Sequence, residues 1–357
     1  MNSSCKLATF FLTACLATSG VTHGQTAVQI FERWDKNGDD KLVVDELPEG
    51  ARANFGKADT NNDGVISLKE HLGYLQRQGS QIRNVDVRRD VSYVENGHER
   101  HKLDLYLPKK AASERDSSDE KRPLVVWIHG GGWRQGSKNS CPAVPLVERG
   151  FAVASINYRL SGHAVFPAQI YDCKAAVRWL RVNAEEYGID GDKIGVWGSS
   201  AGGHLVALMG TSGDVKDLEG DLGHTDQSSR VQAVCDWFGP ADLLLMNKQS
   251  SENSKLDHDA PNSPESRLLG GTLQTVPAKA KRASPLTYVT ADDPPFLIVH
   301  GDKDLLVPWQ QSEMLSDALR SAQCKVTLTI VPDAGHGRFR DPKIAERCLK
   351  FFEDVLK

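Results

Sequence analysis

Residues 193–209 read KIGVWGSSAGGHLVALM, and this stretch decides the fold. Its apolar and β-branched start predicts a strand over Lys193–Trp197, and its apolar end predicts a helix over Gly202–Met209. Between the two stands a G-x-S-x-G pentapeptide, Gly198–Gly202. A sharp strand–turn–helix bend raises the central serine above the sheet, and its flanking residues must be small because the turn is tight. The pattern therefore predicts Ser200 as a nucleophile.

Outward from this stretch, strand-like and helix-like segments alternate from residue 85 to the end. This order predicts an α/β fold with a mostly parallel central sheet and helices on both faces. A long connection, about residues 239–294, joins two strands and is predicted to form a small cap. The other predicted strands are Val85–Tyr93, Arg100–Leu107, Leu124–Ile128, Phe151–Ile156, Val231–Phe238, Phe296–His300 and Val326–Val331; the other helices are Ala168–Tyr187, Trp309–Leu319 and Pro342–Leu356.

A glycine-rich segment follows the predicted strand Leu124–Ile128. It reads His-Gly-Gly-Gly-Trp at 129–133, and such backbone can turn its N–H groups into a cavity. Placed upstream of the serine turn, the N–H groups of Gly131 and Gly132 would join that of Ala201 to stabilise an oxyanion. These three residues are the predicted oxyanion hole.

An acid and a base are expected after the serine in chain order. Asp302 and Asp304 follow the predicted strand Phe296–His300, and His336 follows Val326–Val331. His336 would take the proton of the serine hydroxyl, and one of the two carboxylates would hold the imidazole in the required tautomer.

At these motifs, residues 85–357 resemble the α/β-hydrolase family. The segments 129–133 and 198–203, with Asn-Tyr-Arg-Leu at 157–160 and Phe-Pro-Ala at 166–168, are similar to the hormone-sensitive-lipase-like bacterial esterases and the small-cap acetyl- and feruloyl-esterases. The fold that this resemblance implies is an α/β-hydrolase fold with a small cap.

The resemblance also implies roles for single residues. In the family the acid lies three residues before the Val of D-x-x-V, which maps to Asp304 and leaves Asp302 as the second choice. Many lipase-like members have Asp where this chain has Ser199, so the chain is more similar to the acetyl- and feruloyl-esterase branch. The implied activity is a serine carboxylesterase acting on short-chain acyl or aromatic-acid esters, including esters on carbohydrates, with water as the co-substrate and no catalytic cofactor.

Three aromatic residues are candidates for the substrate pocket. They are Trp133, Tyr158 and Phe238, and each fits a core position equally well. Alternatives to an esterase are an amidase, arylformamidase or peptidase using the same three catalytic residues, and a non-catalytic calcium-dependent binding module.

The segment before this domain, residues 25–79, carries two acidic loops. Residues 59–70 resemble an EF-hand loop with oxygen ligands at positions one, three, five, seven, nine and twelve and Gly64 at the turn. Ile66 would pair with Leu42 of the first loop. The predicted ligands of the second loop are Asp59, Asn61, Asp63, the Val65 carbonyl, Ser67 and Glu70.

The first loop, residues 35–46, departs from the pattern. Asp40 stands where the turn favours glycine, and Val43 offers no side-chain ligand, so this site is expected to be the weaker one. We expect Ca²⁺ to be structural in a small all-α EF-hand domain, with docking to a surface as another use. A dockerin-like module ranks lower because both loops end in Glu. The predicted ligands are Asp35, Asn37, Asp39, the Lys41 carbonyl and Glu46.

Residues 1–24 read as a targeting segment. One base, Lys6, precedes an apolar run of about 15 residues, which is too short to span a bilayer comfortably. The pattern predicts a secretory signal peptide and an exported protein, either periplasmic or secreted. Leu12–Cys15 resembles a lipobox, so lipoprotein anchoring at Cys15 is the alternative. No other stretch predicts a transmembrane span.

Composition excludes several other classes. The 357 residues are 39% hydrophobic and carry a net charge of −4, which gives no basic footprint for nucleic acid. Seven cysteines form no C-x-x-C pair, which argues against a zinc knuckle or thioredoxin motif. The expected partner is a small ester or an esterified carbohydrate.

Overall fold

The computed structural model describes residues 27–52, 54–80, 85–109, 121–254, 256–337, 339 and 341–357. It divides into two compact units, Met1–Arg83 and Asn84–Lys357. The predicted domain boundary at residues 79/80 thus lies a few residues before the observed one. The predicted signal peptide, residues 1–24, lies outside the described residues. Within them, no helix combines the length and apolar character that crossing a membrane requires.

The first unit consists of four helices and a two-stranded antiparallel ribbon. Leu42 faces Ile66 across the ribbon, as the matched loop positions predict. Its small core contains these two residues with Phe31, Leu47 and Ala58. Two four-residue helices stand between the loops. The elements are α1 (Ala27–Trp34), β1 (Lys41–Leu42), α2 (Glu49–Arg52), α3 (Phe55–Ala58), β2 (Ile66–Ser67) and α4 (Leu68–Ser80).

The second unit is built on an eight-stranded sheet of order β10-β9-β8-β7-β5-β6-β4-β3. The six strands from β10 to β6 are parallel, and the hairpin β3–β4 is added antiparallel to β6 at one edge. The predicted mostly parallel sheet is confirmed. The strands are β3 (Val85–Ser92), β4 (Lys102–Pro108), β5 (Arg122–Ile128), β6 (Ala152–Ile156), β7 (Ile189–Ser199), β8 (Ala233–Trp237), β9 (Phe296–Gly301) and β10 (Val326–Val331).

Helices follow the parallel strands, and the most central of them comes directly after Ser200. All 11 residues of this helix, α7, are buried, which explains why its sequence is apolar or small on every side. The predicted helix Ala168–Tyr187 is interrupted at Asn183. The helices are α5 (Ala168–Val182), α6 (Ala184–Tyr187), α7 (Ala201–Thr211), α8 (Lys216–Glu219), α9 (Met246–Gln249), α10 (Pro264–Leu269), α11 (Pro277–Ala283), α12 (Gln310–Ser321) and α13 (Pro342–Leu356).

The long connection 239–294 consists of short helical segments. It contributes α9, α10 and α11, and three 3₁₀ turns lie before, between and after them (Leu243–Leu245, Leu273–Thr275 and Pro285–Thr287). Leu268, Leu269 and Leu273 are buried in the main hydrophobic core. The segment is therefore packed onto the sheet domain. A further 3₁₀ turn, Val144–Arg149, precedes β6.

Candidate active site

Ser200 lies at a sharp turn between β7 and α7. Its backbone adopts φ 55° and ψ −121°, a conformation that L-residues rarely occupy. A Cβ on Gly198 would lie 2.3 Å from the Gly202 carbonyl oxygen, and one on Gly202 would lie 2.1 Å from that of Ile128. Both positions therefore require glycine, which is why the serine can be held in this strained geometry at the end of the sheet.

Three predicted residues meet at this point. The hydroxyl oxygen of Ser200 lies 3.0 Å from His336 Nε2. On the other side of the ring, His336 Nδ1 donates to Asp304 Oδ2 at 2.7 Å. Asp302, the second choice for the acid, instead accepts a hydrogen bond from the Asp333 backbone N–H. The geometry thus selects Asp304 as the partner of His336.

The Asp304 carboxylate is held on both oxygens. Its Oδ1 accepts hydrogen bonds from the backbone N–H groups of Leu306 and Val307, at 2.8 and 2.9 Å. Burial raises the pKa of this carboxyl, but hydrogen bonds from His300 and His336 outweigh burial and hold the pKa well below its usual range. Asp304 therefore stays ionised wherever His336 can work as a base.

His300 is a contributor that the sequence interpretation missed, having assigned it only to the end of a strand. Its Nε2 lies 2.9 Å from the Val307 carbonyl oxygen and 3.3 Å from Asp304 Oδ2. Because both are acceptors, Nε2 carries the proton, and Nδ1 can accept from the Ser312 hydroxyl at 2.7 Å. The four-residue spacing from His300 to Asp304 was the available signal.

The predicted oxyanion hole borders the same cavity as Ser200. Gly131 and Gly132 adopt φ 109° and 58°, positive values that glycine adopts more easily than any other residue. Within the described part of the chain, the N–H groups of Gly131, Gly132 and Ala201 donate to no other protein group. They are therefore available to an oxyanion.

A set of polar contacts supports the glycine-rich loop. His129 Nδ1 donates to the Gly130 carbonyl at 2.7 Å, and Arg100 donates to His129 Nε2 at 3.2 Å. Arg100 also donates to the carbonyls of Tyr158 and Gly136. Burial lowers the pKa of His129 to about 4, so its ring is neutral and keeps this bonding pattern.

Tyr158 belongs to this bracing set and not to the substrate pocket, which corrects the prediction for it. Its ring stacks on His129 at 4.4 Å, and its hydroxyl donates to the His129 carbonyl at 3.0 Å. The side chain is fully buried behind the loop. A tyrosine close to a motif in the sequence can support the loop without facing the substrate.

Ser200 and His336 open into a cavity of about 920 Å³. Trp133 and Phe238 line it, as predicted, and the Phe238 ring lies 4.6 Å from that of His336. The cap contributes one wall, and the glycine-rich loop contributes the polar side chains Arg134 and Gln135. The cap residues in the wall are Pro240, Leu256, His258, Pro264 and Glu265.

A second carboxyl lies beneath the serine turn but outside the triad. Asp236, in β8, is fully buried, and its Oδ1 accepts a hydrogen bond from the Gly239 N–H at 2.9 Å. Its Oδ2 has no hydrogen-bond partner in the described residues. Burial raises the pKa of Asp236 to about 7.

We expect Asp236→Asn to remove a pH-dependent loss of stability. The unfolded carboxyl ionises near pH 3.8, whereas the folded one holds its proton to about pH 7, so the wild type loses stability between these values. At about 1.4 kcal/mol per pKa unit, the variant should gain a few kcal/mol relative to wild type on going from pH 4 to pH 8. Thermal melts of both proteins at several pH values measure this, and a pH-independent difference would contradict it.

The first unit carries the two acidic loops. In the second loop, Glu70 accepts hydrogen bonds from the backbone N–H groups of Ser67 and Thr60 and from both hydroxyls. Hydrogen bonding, chiefly from the Ser67 N–H, lowers the pKa of Glu70 to about 2. Asp59 is buried with Oδ1 unpartnered, which fits a site that expects a cation. Asp63 Oδ1 and Asn61 Oδ1 accept from the loop backbone.

The first loop has a similar pattern but differs at the turn and at position nine, where Val43 stands in place of a side-chain ligand. Asp40 adopts φ 60°, as the glycine position requires, and its N–H donates to Asp35 Oδ2. Glu46 accepts from the N–H groups of Lys36 and Val43. Asn37 and Asp39 likewise accept from the loop backbone, at the N–H groups of Asp39 and Lys41. The donor set of both loops thus fits Ca²⁺, with oxygens only.

A separate cluster of side chains also brings potential metal ligands together, but its hydrogen bonds do not suit metal binding. Among the described residues, one group of three potential metal ligands has its ligand atoms within 4.8 Å of one another. It consists of His98, Glu99 and His163. His98 Nδ1 accepts from the Arg100 N–H, and His163 Nδ1 accepts from the Leu160 N–H. Metal binding at either Nε2 would place the ring proton on Nδ1 and break these hydrogen bonds. The hydrogen bonds therefore argue against a metal site at this cluster.

Comparison with known proteins places this geometry in a family. Residues 103–319 match the family model described as BD-FAE. The chain belongs to the BD-FAE family. One relative of this chain, the esterase LipQ of Mycobacterium tuberculosis, is 34% identical over 279 residues, which cover 76% of this chain and 61% of LipQ. The chain spans about half to three fifths of the length of the curated relatives it matches.

Solved structures resemble this BD-FAE domain as well. A truncated carbohydrate esterase from gut microbiota is 36% identical with a TM-score of 0.67, and the match covers 76% of this chain and 96% of that one. An esterase of the planctomycete Thermogutta terrifontis, solved with butyrate bound, is 26% identical with a TM-score of 0.56 and coverages of 77% and 93%.

Proposed function

We propose that the protein is a carboxylic ester hydrolase that works through an acyl-enzyme on Ser200. The observation that carries this is the hydrogen-bonded chain Ser200–His336–Asp304 at the floor of a cavity lined by available N–H groups. The esterase names of the relatives support the same reaction.

The steps follow from this arrangement. Ser200 Oγ bonds to the ester carbonyl carbon while His336 takes the hydroxyl proton, and the Gly131, Gly132 and Ala201 N–H groups stabilise the negative oxygen. The alcohol leaves with the proton from His336. Water then attacks the acyl-enzyme, again giving its proton to His336, and the carboxylic acid is released as Ser200 regains its proton.

We propose short-chain acyl or aromatic-acid esters, carried on carbohydrates, as substrates. A cavity of about 920 Å³ with Trp133 and Phe238 in its wall accommodates an acyl group together with a sugar. The carbohydrate-esterase and butyrate-bound relatives support this class. An amidase, arylformamidase or peptidase would use the same residues on a different leaving group.

A substrate panel tests this proposal. Purified protein is offered acetyl, butyryl, octanoyl and feruloyl esters, an acetylated xylo-oligosaccharide, an anilide and a formamide. We expect turnover of the esters with a preference for short or aromatic acyl groups. Faster turnover of the anilide or formamide than of any ester would overturn the proposal in favour of an amidase.

We also propose that the two loops of the first unit bind structural Ca²⁺. Residues 59–70 would hold the ion most firmly, because Asp59 leaves a buried oxygen unpaired and Glu70 is held ionised. The ion supplies no chemistry to the ester reaction. Docking of this unit to a surface would be a further use of the same fold.

Calcium is therefore expected to stabilise the protein against unfolding. At about a hundred times its Kd, one bound ion adds about 2.7 kcal/mol to the free energy of unfolding of the unit that holds it. Glu70→Gln should abolish most of the calorimetric binding signal and of the rise in Tm, whereas Glu46→Gln, in the first loop, should keep the stronger site. An equal response of wild type and Glu70→Gln to calcium would contradict the assignment.

We propose export of the protein on the basis of residues 1–24. Mass spectrometry of the mature chain from its native host tests this: a chain beginning near Gln25 supports signal-peptide cleavage, and a lipid-modified chain beginning at Cys15 supports the anchored form. An uncleaved Met1 on a cytoplasmic protein would overturn the proposal.

A further inference from the structure

The cap places a buried histidine–glutamate pair in the wall of the catalytic cavity. His258 and Glu265 line the same cavity as Ser200, and their side chains are only 1% and 3% exposed. His258 Nδ1 lies 2.9 Å from Glu265 Oε1. Because a carboxylate only accepts hydrogen bonds, the Nδ1 proton of His258 is donated to Glu265.

Each member of the pair has a second polar atom that the protein leaves unpaired. Neither His258 Nε2 nor Glu265 Oε2 has a hydrogen-bond partner in the described part of the chain. Oε2 is an acceptor, and Nε2 accepts a hydrogen bond in the neutral ring and donates one in the charged ring. Two buried polar atoms without partners are costly unless partners reach them from elsewhere.

The surrounding residues fix the pair but do not satisfy it. The His258 backbone N–H donates to Asn247 Oδ1 at 2.7 Å. Pro264, next to Glu265, packs on the glycine-rich loop, where a Cβ on Gly132 would lie 3.3 Å from the Pro264 Cβ. The other cap residues in this wall, Pro240, Leu256 and Pro264, offer no side-chain donor. A molecule bound in the cavity can therefore supply partners that the cap itself lacks.

We infer that the His258–Glu265 pair is a hydroxyl-binding subsite that selects esters whose alcohol part is a sugar or similar polyol. Neighbouring hydroxyl groups of a sugar both donate and accept hydrogen bonds, so they can supply the partners that Nε2 and Oε2 lack, which an alkyl or aryl alcohol cannot do. Both atoms are shielded from solvent, so binding requires the two side chains to turn towards the cavity that they already line. This inference rests on the proposed function and adds the part of the substrate that the cap recognises.

Two acetates that differ in hydroxyl groups test the inference. One is a monoacetylated methyl xyloside, which keeps free hydroxyls, and the other is 4-nitrophenyl acetate, which has none. Glu265→Gln keeps the size of the side chain but replaces one acceptor by a donor. We expect the ratio of kcat/KM for the xyloside to that for the aryl acetate to fall roughly ten- to a hundred-fold, mainly through KM. His258→Gln should lower the same ratio.

Gln274→Ala is the matched control. Gln274 lies in the same cap and bonds to Asp259, the neighbour of His258, but it does not line the cavity. This variant should leave the ratio unchanged. Because the readout is a ratio, partial misfolding of a variant does not imitate the expected result.

Three results would overturn the inference. One is an equal loss on both acetates in Glu265→Gln and His258→Gln, which would make the pair a structural support. Another is an unchanged ratio without any loss. The third is a wild type that hydrolyses 4-nitrophenyl acetate but not the xyloside, which would leave the proposed ester hydrolysis intact. A folded wild type that hydrolyses neither would instead count against the proposed function itself, and the inference would fall with it.

Discussion

Replacing Ser200 by alanine is expected to lower kcat on an aryl acetate by roughly five to six orders of magnitude. The Ser200 hydroxyl lies 3.0 Å from His336 Nε2 and stands at the strained turn that faces the cavity. Without it, no covalent intermediate forms, and only the weak effect of the oxyanion hole and of substrate binding remains. The folded structure should persist, because alanine removes one hydroxyl and leaves the turn glycines in place.

The neighbouring serine makes a matched control. Ser199 ends β7 and has no side-chain hydrogen bond to His336 or Asp304. Ser199→Ala should keep activity within about ten-fold of wild type, since it removes no reacting group. Intact-protein mass after treatment with a phosphonate gives a substrate-independent readout: one adduct on wild type and Ser199→Ala, none on Ser200→Ala. An adduct on Ser200→Ala would reassign the nucleophile.

The part of the site that could be predicted from sequence depends on short-range geometry. Gly198 and Gly202 are required because a Cβ at either would meet backbone atoms within 2.5 Å. Both glycines belong to the G-x-S-x-G pattern, so the sequence alone indicates the requirement. Asp304 and His336 follow β9 and β10, and the carboxyl ends of parallel strands meet at one edge of the sheet. Alternation of strands and helices therefore brings these residues to Ser200.

The parts that could not be predicted depend on contacts between residues far apart in the chain. Tyr158 reaches the glycine-rich loop only because the fold brings it onto His129, so its bracing role is not visible in its local sequence. The His258–Glu265 pair forms within the cap, whose short helices have no strong periodicity. His300 was visible as a strand end, but its partner Ser312 lies on another element.

Asp304→Asn is expected to lower kcat by about 10⁴ while the protein stays folded. The backbone N–H groups of Leu306 and Val307 donate to Oδ1, so they will hold the amide oxygen of the asparagine in that position. The amide nitrogen then takes the place of Oδ2, 2.7 Å from His336 Nδ1, and presents a donor where the wild type presents an acceptor. His336 must place its proton on Nε2, and in that tautomer it cannot accept the Ser200 proton.

Asp302→Asn separates this effect from a general loss of carboxylate near the site. Asp302 accepts from the Asp333 N–H, a role that an asparagine oxygen can keep, so its activity should remain within a few-fold of wild type. Steady-state kinetics of both variants on the same ester, with thermal melts as a check of folding, measure the difference. A large loss in Asp302→Asn with retention in Asp304→Asn would assign the acid to Asp302. Asp302 and Asp304 stand two positions apart on one loop, so the two variants remove a negative charge from nearly the same place. A difference in activity between them therefore reports which carboxylate His336 contacts, and not the loss of local charge.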